Sequence, residues 1–97
     1  MDLRVSQSPV ADGWEVSLTV SLDRRETNEL FLAGDKLVTW PTGLVRPFGS
    51  GPIDRTSMFL SEIVARPEGL RLVYESMEAA QTAAKVLESQ IRSAVGG

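Results

Sequence analysis

The clearest pattern in the chain is a strict alternation. Trp14, Val16, Leu18, Val20 and Leu22 alternate with Glu15, Ser17, Thr19 and Ser21, which is the period of a strand with one buried face. Upstream, Leu3 and Val5 alternate with Arg4 and Ser6, and the intervening "SPVADG" has turn chemistry. Residues 3–7 and 14–22 are therefore expected to form a hairpin with a longer loop.

The next stretch, "DRRETNELFLAGDKLVTW", supports two readings. Asp23 followed by Glu26 has the spacing of a capping box, and Gly34 stands where a helix end favours glycine. Against a helix, Leu30, Phe31 and Leu32 are consecutive, and "AGDK" can turn a short strand back into "KLVTW". The hairpin is the preferred expectation. "TSMFLSEIVARPEGLRLVYES" reads as a second hairpin, with Pro67 and Gly69 supplying the turn. A three-residue loop would set Val64 opposite Leu72, Ile63 opposite Val73 and Glu62 opposite Tyr74. Met58, Leu60, Val64, Leu72 and Tyr74 would then share one face, and Phe59, Ile63 and Val73 the other. Both faces would carry apolar area needing cover.

The period changes after Ser76, a good N-cap, with Glu78 adding favourable charge to the first turn. Ala80, Ala84, Leu87, Ile91 and Ala94/Val95 form one helical stripe. Glu78, Gln81, Lys85, Glu88 and Arg92 lie opposite, with Glu88 and Arg92 at supporting i,i+4 spacing. The summed expectation is an α+β fold: an antiparallel sheet or small sandwich of five to seven short strands followed by one C-terminal amphipathic helix. No repeat or linker divides residues 1–97, so they read as a single domain.

Composition narrows the chemistry. The 97 residues include neither cysteine nor histidine, which removes thiolate chemistry, the commonest general base and the commonest metal ligand. No cofactor or metal is expected. The net charge of −3 disfavours a broad nucleic-acid footprint. No signal-peptide pattern or apolar run of membrane-spanning length is present, so the chain is expected to be soluble and cytoplasmic.

Individual motifs carry little chemistry. "FGSGP", with Arg46 or Arg55 nearby, could form an anion-binding nest, yet it lacks the lysine and helix of a phosphate loop. Glu62 among apolar neighbours would resist ionisation if buried, but no second carboxylate stands at a defined spacing. The serines lack a histidine partner. The chain is therefore read as non-catalytic. The end, Gly96-Gly97, resembles the diglycine of ubiquitin-like modifiers and sulfur carriers over those two residues alone. The order of strands then a C-terminal helix is similar to pleckstrin-homology-like folds and to strand-then-helix single-stranded-DNA-binding folds, an analogy of fold with little force for function.

The stretch "WPTGLVRPFGSGPIDR" (Trp40 to Arg55) holds three of the chain's five prolines and places apolar side chains where the backbone is most irregular. Trp40 continues the alternation of "KLVTW" and is expected to anchor the loop to the core. Leu44, Arg46 and Phe48 are expected to form a contact surface, since aromatic and arginine side chains dominate interface energetics. The functional expectation is a small interaction domain that binds a protein partner or a second copy of itself, forming a homodimer, through an exposed sheet face and the 41–52 loop. The alternative is a single-stranded nucleic-acid-binding module using local arginines.

Overall fold

The computed structural model describes residues 1–41, 44–47 and 56–96, the backbone alone at 44–47 and Gly96. Among the described residues six strands and three helices follow in the order β1 (Asp2–Val10), β2 (Gly13–Ser21), α1 (Arg24–Ala33), β3 (Leu37–Thr39), β4 (Leu44–Pro47), β5 (Ser57–Phe59), α2 (Leu60–Val64), β6 (Leu70–Tyr74) and α3 (Met77–Gly96). Four strands make an antiparallel sheet in the order β1-β2-β6-β4, while β3 and β5 pair as a separate ribbon. The architecture is the expected α+β arrangement, with the long amphipathic helix at the C-terminus.

The β1–β2 hairpin is longer and tighter than expected, running from Asp2↔Ser21 to Val10↔Gly13 around the turn Ala11–Asp12. A Cβ on Gly13 would overlap the Tyr74 carbonyl oxygen, so only glycine lets the hairpin end approach β6. Val16, Leu18 and Val20 of β2 join Leu70, Leu72 and Tyr74 of β6 on the inner face of the sheet. Helix α3 covers that face with Ala80, Ala83, Ala84, Leu87 and Ile91, all buried. The three alanines let its first turns lie close to the strands. Ser76 starts the helix by accepting the Ala79 N–H at 3.2 Å, and Arg92 bonds Glu88 at 3.1 Å, both as the spacing implied. Gln90 of α3 accepts the Thr39 N–H at 2.9 Å and so ties the ribbon to the helix. Val38, Trp40 and Met58 complete the core, Trp40 in the anchoring role expected of it.

Two expected hairpins are replaced by helices. Residues 24–33 form α1, opened by the full capping box: Asp23 Oδ1 accepts the Glu26 N–H at 2.8 Å, and Glu26 Oε1 accepts the Asp23 N–H at 3.1 Å. The run of Leu30, Phe31 and Leu32 is not a strand signal because only Leu30 packs against the core.

Residues 60–64 form α2 rather than a strand. Glu62 accepts the Phe59 N–H at 2.9 Å, and Leu60 and Ile63, three apart on one helical side, are both buried. The pairings of Val64 with Leu72, Ile63 with Val73 and Glu62 with Tyr74 therefore do not form; β6 pairs with β2 and β4 instead. The turn chemistry was nonetheless right. Gly69 adopts a left-handed φ of 74° and donates to the Arg66 carbonyl at 3.0 Å.

This rearrangement removes the doubly apolar sheet. The outer face carries Arg4, Ser6, Ser8, Glu15, Ser17, Thr19 and Arg71, with Val73 the buried apolar exception. Of the apolar residues 58–64, Met58 of β5 and Leu60 and Ile63 of α2 enter the one core, Val64 packs partly against it, and Phe59 stays exposed.

Candidate protein-docking site

Helix α1 has an unusual economy of contacts: none of its residues is buried outright. Leu30 alone joins the apolar core from it, with Leu22 just before the helix. Three consecutive residues on a helix span about 200° of its circumference, more than one docked face can cover. With Leu30 facing inward, Phe31 and Leu32 must turn outward, and they are 76% and 88% exposed.

A groove of about 200 Å³ runs between α1 and the end of α3. Leu22, Leu30, Ala33, Leu60, Ala94 and Val95 give it apolar walls, and Glu26, Glu29 and Lys36 add charge. The volume is below the ~300–1,000 Å³ typical of small-molecule pockets and suits one large side chain of a partner. Exposed apolar residues flank its lining in the chain. Phe31 and Leu32 adjoin Leu30 and Ala33 in the chain, Leu37 follows Lys36, and Phe59 precedes Leu60. Leu37 and Phe59 are a cross-strand pair of the β3–β5 ribbon, 54% and 47% exposed, while Val38 and Met58 beside them point into the core.

The charges of the groove differ in their availability. Glu26 is engaged by the Asp23 N–H and by the Met1 amine at 2.8 Å, which raises that amine's pKa chiefly through this hydrogen bond. Glu29 accepts from Arg25 at 3.2 Å. Lys36 has no ion-pair partner among the described residues. It can receive a carboxylate.

The segment leading into β3 and the segment leaving β5 are tied together at the end of the ribbon beside Leu37 and Phe59. Leu60 donates to the Lys36 carbonyl at 2.7 Å, and Asp35 bonds the Ser61 N–H at 3.2 Å and the Ser61 hydroxyl. Among the described residues no group of histidine, cysteine, aspartate and glutamate is placed to hold a metal, and no helix is long and apolar enough to cross a membrane.

Of the residues singled out in the sequence, Glu62 serves as the start of α2. Arg71 lies 3.8 Å from Glu15. The Tyr74 hydroxyl donates to the Pro41 carbonyl at 3.2 Å, and burial pushes its pKa up to about 12. Leu44 and Arg46 belong to β4, whose backbone forms the sheet edge next to β6. Their side chains, together with Phe48, Arg55, the "FGSGP" stretch and Gly97, lie outside the described residues. The groove draws on residues 22–36, 60 and 94–95, far apart in the chain, so no local motif announced it. The available signal was Phe31-Leu32 once residues 24–33 are taken as a helix. No family model, curated protein or solved structure matches the chain.

Proposed function

We propose that the chain is a small non-catalytic interaction domain that docks a protein partner in the groove between α1 and the end of α3. The observation that carries this reading is an apolar groove whose lining residues Leu30, Ala33, Lys36 and Leu60 are chain neighbours of the exposed Phe31, Leu32, Leu37 and Phe59. Leu37 and Phe59 are cross-strand partners and Phe31 and Leu32 are consecutive, and exposed apolar side chains that adjoin one another mark protein interfaces more than single scattered ones do. The fitting partner presents a bulky apolar side chain to the groove and a carboxylate to Lys36. Leu44, Arg46 and Phe48 stand as a second proposed contact, because β4 brings the first two to an edge of the sheet. The nucleic-acid alternative draws no support from this groove, where two glutamates accompany a single lysine.

Site-specific photo-crosslinking in native lysate tests the proposal. A photoreactive residue at Leu32 or Phe59 should yield a discrete protein adduct, weakened by Lys36→Glu, while one at Ser6 on the polar outer face should not. Equal labelling from all three positions, or none from Leu32 and Phe59, would overturn the groove as the docking site.

A further inference from the structure

The strand β1 ends the sheet, and among the described residues nothing pairs with its other side. Nine residues is long for an unprotected edge, since a free edge is a template for another strand. Which of its backbone groups are free follows from one residue. Proline has no N–H, so Pro9 cannot exchange both bonds with its partner Trp14; that pair is a non-hydrogen-bonded one. The register runs without a bulge from Asp2↔Ser21 to Val10↔Gly13, so the alternation is fixed along the strand. Asp2, Arg4, Ser6, Ser8 and Val10 bond β2. Leu3, Val5 and Gln7 direct both their N–H and C=O groups outward.

We infer that β1 pairs antiparallel with β1 of a second copy, about a two-fold axis at Val5, to make one continuous sheet. Two-fold registers centred on a residue of the strand match outward groups to outward groups, and the one centred on Gln7 sets Val5 opposite Pro9 and leaves Leu3 unpaired. The one centred on Arg4 sets arginine opposite arginine, which is unfavourable. The one centred on Ser6 sets Leu3 opposite Pro9, which has no donor to offer. The one centred on Leu3 leaves Gln7 unpaired. Centring on Val5 pairs Leu3 with Gln7 and Val5 with itself, satisfying every outward group of all three residues. It also places Arg4 opposite Ser6 and Asp2 opposite Ser8, with no like charges directly facing. Leu3 and Val5 are partly buried against the core, and the second copy's Gln7 and Val5 extend the sheet beside them. Such an interface is isologous, as a closed dimer requires. It is independent of the groove.

Two measurements on the full chain test this. Sedimentation across a dilution series should show a reversible monomer–dimer equilibrium. Gln7→Pro deletes one outward donor per copy without touching the β2 ladder, and Gln7 is exposed, so its fold should persist. It should weaken dimerisation about tenfold or more, while Gln7→Ala should leave it nearly unchanged. Amide exchange in the parent gives the second readout, which holds even if the proline variant does not fold. With rising concentration the amides of Leu3, Val5 and Gln7 should slow, while those of Arg4, Ser6 and Ser8, already bonded, should not. A monomer at every concentration, a dimer without that alternating protection, or a Gln7→Pro protein that dimerises like the parent would each overturn the inference. Leu32→Ser should leave self-association unaltered, which keeps failure of this pairing distinct from failure of the groove.

Discussion

Tyr74 shows how one side chain joins the sheet to the segment after Trp40. Its ring is fully buried opposite Trp14 on the inner face, and its hydroxyl spends its proton on the Pro41 carbonyl. Burial disfavours the phenolate and pushes the pKa up to about 12 from an ordinary 10.0. Below pH 10 the hydroxyl is protonated whether the chain is folded or not, and the full stabilisation is present. Between pH 10 and 12 the unfolded chain releases the proton while the folded one keeps it, so stability falls as pH rises. The loss reaches roughly 2–3 kcal/mol by pH 12, at ~1.4 kcal/mol per unit. Denaturant titrations across this range should show that slope in the parent and its absence in Tyr74→Phe.

At the scale of elements, the helices differ in what holds them. Leu87 and Ile91 of α3 are fully buried against the sheet, so Leu87→Ala should cost about 2–5 kcal/mol in chemical denaturation. Leu32→Ala, on the exposed side of α1, should change stability by less than about 0.5 kcal/mol. Equal losses would mean that α1 is packed as tightly as α3. The contrast also explains what the sequence could disclose. Strand β2 and helix α3 were legible because their apolar positions keep one period over nine residues or more, while β1 shows that period only at Leu3 and Val5 and its end, "SPV", reads as a loop. Helix α2 was not, because in five residues Leu60 and Ile63 fit a helix while Met58 and Leu60 fit a strand. Helix α1 was legible only at its start, where Asp23 and Glu26 spell the capping box. Its later residues mislead, since Phe31 and Leu32 are apolar without being core. The groove was hidden for a different reason: it exists only where segments distant in the chain meet.

For the molecule as a whole, the loose seating of α1 has a thermodynamic consequence. A helix of ten residues that rests on Leu30 and a capping box is marginal by itself, and it can open while the sheet and α3 stay intact. Such subglobal openings set amide exchange rates. The amides of residues 28–33 should therefore exchange well before those of residues 84–91, where matched rates would show one cooperative unit instead. The groove wall built from Leu30 and Ala33 exists only in the closed population. Apparent affinity for a partner is the intrinsic affinity scaled by that closed fraction. Substitutions that strengthen the helix without touching the groove, such as Asn28→Ala on its exposed side, would then tighten binding, and the partner in turn would slow the exchange of α1.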